Sequence, residues 1–162
     1  MKNILQFDFI VNKENNTINV KREFAADIDL IWAAWTEADI LDQWWAPRPY
    51  RNKTKSMDCR TGGRWHYHML SPENEIHWCK FDYDNVSPHT EYSGIDAFCD
   101  EDGNINNAMP RNKWHNKFKD KGEHTLVDIN LKFDTLSDLE RIIEMGFKEG
   151  FTAGMENLDE YI

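Results

Sequence analysis

The sequence is short of three things, and each shortage closes off a class of function. Cysteine comes to three residues, Cys59, Cys79 and Cys99. The number is odd and no Cys-x-x-Cys spacing occurs, so neither a disulfide framework nor a zinc knuckle is expected. Positive charge is scarce: 19 Lys and Arg stand against 29 Asp and Glu, a formal net charge of −10. A protein that tracks phosphates needs clustered cations, so nucleic acid is not an expected partner. The basic stretches at residues 53–55 and 113–121 are interrupted by acids and polar residues and read as solvated strand faces. Long apolar runs are missing as well. No stretch approaches the ~20 residues of a membrane-spanning helix, and residues 1–11 lack the apolar core of a signal peptide. A reduced, cytoplasmic, soluble protein with no membrane partner is the expectation.

Aromatic residues, in contrast, are plentiful. They make up 13% of a chain of 162 residues, within a hydrophobic content of 40% that argues against disorder. That length predicts one domain with a substantial core. Four of the seven tryptophans, Trp32, Trp35, Trp44 and Trp45, fall within fourteen residues. Segments this short cannot make a core alone, so the rings must pack against something broad, most simply a sheet.

Periodicity predicts the order of elements. Leu5, Phe7, Phe9 and Val11 alternate, Glu14-Asn-Asn16 supplies a turn, and Ile18, Val20 and Phe24 resume the period of two, which describes a β-hairpin. Ile28, Ile31, Trp32 and Trp35 then fall on one helical face, with Asp27 and Asp29 favouring the helix dipole in the first turn. Thr36 is placed to cap a second short helix carrying Ile40, Leu41 and Trp44, which Pro47 ends. Residues 52–133 hold only strand-length runs between turns, among them Gly62-Gly63, Ser87-Pro88 and Lys121-Gly122. Such runs leave no room for βαβ crossovers, so the sheet is expected to be antiparallel. Thr125, Val127, Ile129, Leu131 and Phe133 alternate with polar residues, giving one buried and one wet face. The loop at residues 103–111 is expected to be mobile.

Residues 136–162 predict one long helix, capped by Thr135 or Ser137, with Leu139, Ile142, Ile143, Phe147, Phe151, Met155 and Leu158 on its apolar side. Gly146, Gly150 and Gly154 form a stripe along it, although each glycine costs about 1 kcal/mol against alanine in a helix. A stripe without side chains either admits another backbone closely or leaves volume empty beside the helix. Both readings remain open. Trp32, Trp35, Val127, Ile129, Leu131, Phe133, Ile143 and Phe147 are the expected core.

Phe24, Leu30 to Thr36, Leu41 to Trp45 with Pro47, Gly62-Gly63-Arg64-Trp65, Glu144-Met145-Gly146 and Glu149-Gly150-Phe151 together resemble a known family. It is the group in the START-related (SRPBCC) superfamily named for an activator of the 90-kDa heat-shock-protein ATPase. The resemblance covers roughly residues 17–162, leaving residues 1–16 as an N-terminal β extension. It implies an α+β helix-grip fold: a curved antiparallel sheet wrapped around a long C-terminal helix, with two short helices after the first strands. Asp27 stands where the group often has proline, and Lys113 to Phe118 replaces a plain alternating apolar strand.

A helix-grip fold leaves a cavity between sheet and helix, and apolar cavities with a few polar groups are the usual small-ligand sites. Trp44, Trp45, Trp65, Tyr67, Met69, Trp78, Tyr92, Met145, Gly150, Phe151, Gly154 and Met155 are the candidate ligand-binding residues. Any single one of these aromatics is more readily read as ordinary core, and the case for a cavity rests on their number together with the helix glycines. Non-catalytic binding of a small apolar or aromatic molecule is the leading reading. A chaperone-linked interaction domain follows only from the family resemblance, and a small cyclase or aromatase-type enzyme is a weaker alternative. No cofactor and no metal are expected. His66-x-His68 has ligand spacing, with His77 nearby, but the sequence defines no third ligand, and both imidazoles should face solvent if Trp65, Tyr67 and Met69 face inward. Cys79 lacks an identifiable base and reads as an inert thiol. Arg64 is expected to pair with a carboxylate on the strand surface, and Glu149 to be solvated.

Overall fold

The computed structural model describes residues 5–162, so the first four residues of the expected N-terminal extension lie outside the described residues. The elements run β1 (Phe7–Asn12), β2 (Thr17–Phe24), α1 (Ile28–Thr36), α2 (Ala38–Trp44), β3 (Arg51–Met57), β4 (Arg64–Leu70), β5 (Ile76–Ser87), β6 (Glu91–Phe98), β7 (Lys113–Asp120), β8 (Thr125–Lys132), α3 (Leu136–Glu144) and α4 (Phe147–Tyr161). Eight strands form one antiparallel sheet in the order β1-β2-β8-β7-β6-β5-β4-β3. Irregularities at Thr54/Ser56 in β3 and Tyr83/Asn85 in β5 shift the register there, and such bulges bend a strand. The sheet curves, and the four helices complete the α+β helix-grip fold. No helix among the described residues is long and apolar enough to cross a membrane.

Local chemistry explains most boundaries. In the first hairpin, Asn16 adopts a left-handed φ of 55°, a conformation that asparagine tolerates better than most residues. The Asn12 side chain accepts from the Glu14 and Asn15 amides. Asp27 caps α1 by accepting from the Leu30 amide at 3.0 Å. Thr135 caps α3 through Asp138 N at 3.0 Å, so of the two offered residues the earlier one serves. The expected cap at Thr36 is corrected. Its hydroxyl instead donates to the Trp32 carbonyl within α1 at 2.6 Å, and Glu37 occupies the cap position of α2 without a side-chain bond.

Two larger expectations are also corrected. The single C-terminal helix is broken at Gly146, whose φ of 91° no helix accommodates. Ile143 and Phe147 flank that break and are half-buried, whereas Trp32, Trp35, Val127, Ile129, Leu131 and Phe133 are buried as the period predicts. The loop expected to be mobile is tied down at several points. Asp100 accepts from Asp102 N, Asn104 N and Asn104 Nδ2, and Arg141 of α3 donates to the Ala108 carbonyl at 2.8 Å.

The core lies on the inner face of the sheet. Trp35 sits at its centre, in edge contact with Phe24, Trp44, Trp45, Phe118 and Phe151 at centroid distances of 4.9–6.5 Å. Asp42 fastens α2 to β3 by accepting from Asn52 Nδ2, Thr54 N and Thr54 Oγ1. At the far end of α4, Asn157 donates to the Ala46 carbonyl at 3.0 Å, and Asp159 pairs with the buried Arg22 of β2.

Candidate functional site

Strand alternation sends Tyr67 and Met69 of β4, Cys79 of β5, Asp96 and Phe98 of β6, and Trp114 of β7 toward the helices. Opposite them stand Ile142 and Met145 of α3, Gly146 at the break, and Phe147, Gly150 and Phe151 of α4. Trp45 and Pro47, just after α2, close one end. Between these walls lies a cleft of about 280 Å³, at the lower edge of the ~300–1,000 Å³ usual for small-molecule sites. A smaller, more enclosed space of about 20 Å³ lies behind it, bounded by Trp65, Phe81, Tyr83 and Tyr92. Both spaces share Trp45, Tyr67, Asp96 and Trp114 as walls. A wider groove of about 530 Å³ lies on the wet face, between Ser93, Lys113, His115 and Asn130.

The cleft is almost wholly apolar, so its few polar atoms stand out. Trp45 Nε1 donates to the Tyr67 hydroxyl at 3.2 Å. Asp96 accepts from the Asn112 amide at 2.7 Å through Oδ1, and from Asn112 Nδ2 at 3.2 Å and Trp114 Nε1 at 2.8 Å through Oδ2. The carboxyl is shielded from bulk solvent, and what surface it keeps opens into the two spaces it walls. Burial pushes its pKa up to about 6 against the lowering effect of those N–H groups and of Arg111. Burial also drives the Cys79 thiol up to about 12 and the Tyr67 hydroxyl well above its ordinary value. Near neutral pH both stay protonated, and of the groups on the cleft wall Asp96 alone changes charge.

The structure brings six of the twelve candidate residues to the cleft: Trp45, Tyr67, Met69, Met145, Gly150 and Phe151. Met145 is half exposed and forms part of its rim. Trp65 and Tyr92 face the small inner space instead. Trp44 and Met155 are fully buried behind the wall; the Trp44 indole is turned onto the Ala34 carbonyl at 2.8 Å. Gly154 lies against the chain at the end of α2, where an added Cβ would stand 3.1 Å from the Trp45 carbonyl oxygen and 3.3 Å from that of Trp44. Trp78 is on the opposite face of the sheet, packed on His66 and His68 at 5.0 and 4.6 Å. Its neighbour Cys79 takes the inward parity, so Trp78 must point out.

That packing corrects the histidine expectation, since His66 is buried beneath Trp78 with Nε2 3.1 Å from the Asp100 carbonyl oxygen, and His68 is partly covered. Among the described residues no three His, Cys, Asp or Glu side chains converge. Arg64 pairs with Asp82 at 2.9 Å, and Glu149 is exposed.

Asp96, Asn112 and Trp114 are the functional candidates that sequence reasoning missed. A signal existed for Asp96. It shares parity with Tyr92 and Gly94 along β6, so an acid stood on a strand's inward face.

The comparisons agree with this architecture. Protein Ms6760 from Mycobacterium smegmatis superposes with a TM-score of 0.89 at 24% identity, covering 98% of this chain and 97% of that one. A protein from Arthrobacter aurescens gives 0.88 at 22% identity, covering 94% and 88%. The AHSA1 protein from Silicibacter pomeroyi gives 0.72 at 18%, covering 90% and 96%. At such identities these likenesses speak for the fold. No curated protein matches the sequence significantly. The sequence profile described as Activator of Hsp90 ATPase homolog 1-like protein matches residues 25–162. Most of the chain is thus accounted for by one profile, and the protein belongs to the Activator of Hsp90 ATPase homolog 1-like family.

Proposed function

We propose that the protein is a non-catalytic binder of a small apolar or aromatic molecule, held in the cleft between the sheet and the α3–α4 segment. One observation carries the reading: the cleft is walled by Trp45, Trp114, Phe147 and Phe151, and Gly150 leaves room there. A Cβ on Gly150 would meet only Pro47, at 3.8 Å. A helical glycine costs about 1 kcal/mol against alanine, a cost with no packing return at this position. Of the titratable side chains on the cleft wall, burial holds Tyr67 and Cys79 protonated near neutrality and leaves Asp96 alone to change charge there, so an enzyme of the cyclase kind would rest on this one carboxyl. A chaperone-linked role is supported by family membership alone.

Gly150→Leu tests the reading. The expected result is a folded protein, by near-ultraviolet circular dichroism, that no longer takes up an apolar fluorescent probe bound by the wild type. Native mass spectrometry of freshly purified wild type should also show a co-purifying small molecule that the variant lacks. Equal probe uptake by both proteins would remove the cleft from consideration.

A further inference from the structure

The cleft is selective in charge as well as in shape. Of all its wall residues only Asp96 carries a formal charge near neutral pH, and no Lys or Arg lines the space. The nearest guanidinium, Arg111, is committed elsewhere: Nε donates to the Asp96 backbone carbonyl at 3.0 Å, and Nη2 reaches Asp82 at 3.3 Å. Asp96 is therefore held by three N–H bonds but has no cation against its carboxylate oxygens within the cleft. An ionised carboxylate offers about four acceptor positions, and three are filled. Beside it, Asn112 is buried, donates through Nδ2 to Asp96, and has its Oδ1 without a partner. The unfilled capacity of both groups is acceptor capacity. A carboxylate shielded from solvent whose nearest cation is shared with another acid is costly, and the faces of Trp45, Trp114 and Phe151 are surfaces on which a cation is also favoured.

We propose that the ligand is an amine: an apolar, ring-bearing body with a protonated ammonium group at one end, bound to Asp96 within the aromatic wall. The assignment rests on the reading of the cleft as a binding site and goes further by fixing the chemistry of the ligand's polar end. Asp96 is then the residue that discriminates between ligands, while the aromatic side chains supply affinity without regard to charge.

Three probes of nearly the same shape separate the possibilities: 2-naphthylethylamine, 2-naphthylethanol and 2-naphthylacetate, titrated into the intact protein by calorimetry at pH 7.5. The amine should bind at least about tenfold more tightly than the alcohol, the range of one hydrogen bond to a charged group, and the acid most weakly. In Asp96→Asn the gap between amine and alcohol should close. An alcohol equal to the amine, an acid that binds best, or a gap that survives in the variant overturns the amine assignment but leaves the cleft as a binding site. Failure of all three probes on the wild type would overturn the underlying reading instead. If Asp96→Asn does not fold, the order of the three probes on the wild type decides.

Discussion

The two halves of the C-terminal helical segment carry the same small-residue spacing and do opposite things with it. Around Gly154, α4 lies so close to the end of α2 that the Trp44 and Trp45 carbonyls occupy the space of a side chain, and Asn157 holds the Ala46 carbonyl one turn on. Met155 and Leu158 are fully buried there. One turn earlier, Gly150 faces Pro47 across ordinary contact distance and borders the cleft, between the half-buried Phe147 and the buried Phe151. Gly146 does neither, because its left-handed φ makes the break between α3 and α4. Equal spacing in sequence therefore corresponds to a turn, an opening and a close contact.

The packed half should be the more fragile. Trp35, where α1, α2 and α4 meet, is with Trp44 the largest fully buried side chain among the described residues. Trp35→Ala should lose about 3–5 kcal/mol, as large-to-small aromatic substitutions in cores do. A denaturant midpoint within error of wild type would break the picture of a close-packed centre. Gly154→Leu should cost about 1–3 kcal/mol by overpacking, read as a lower thermal midpoint. If it were neutral, the close approach of α4 to α2 would be unnecessary.

The open half should respond to charge and shape rather than to volume lost. Burial raises the pKa of Asp96 from 3.8 to about 6, so the folded state binds its proton more tightly than the unfolded chain. The stability this group contributes is complete below about pH 4 and is lost as pH rises through about 6. Asp96→Asn lacks that titration. The stability of wild type relative to the variant should fall by about 1–2 kcal/mol between pH 4 and pH 7, a discount on the full shift because the carboxyl faces the cleft. Parallel stability profiles for the two proteins over that range would show that Asp96 ionises freely. Gly150→Leu should have the smallest effect on stability, a gain of up to about 1 kcal/mol from helix propensity, while abolishing uptake of the apolar probe. A loss of stability as large as that of Gly154→Leu would erase the distinction between the two halves.

Much of the site was legible, and what was missed has identifiable causes. Tyr67 and Met69 follow from the alternation of β4, and Phe151 from the apolar face of α4. Trp78 falls on the outer face because Cys79 and Phe81 take the inward parity of β5, which outweighs its aromatic character as a signal for the wall. Trp44 and Met155 belong to the right helices, but their depth depends on how α2 and α4 sit on the sheet, which is a matter of long-range packing. Asn112 lies outside any strand and acquires its role only by donating to Asp96 across the β6–β7 pair.

What the sequence determines by itself is the kind and order of elements, since periods of two and 3.6 and the turn residues between them are local properties of the chain. The antiparallel sheet, the two short helices and the family resemblance all rest on such patterns. The tertiary structure alone decided which glycine makes room and which makes contact, and that one carboxylate stands without a cation inside an aromatic wall. Those outcomes depend on distances between residues as far apart in sequence as Trp45 and Gly154, or Asp96 and Phe151. Such distances arise only when the curved sheet and the broken helix close on one another, and no local pattern encodes them.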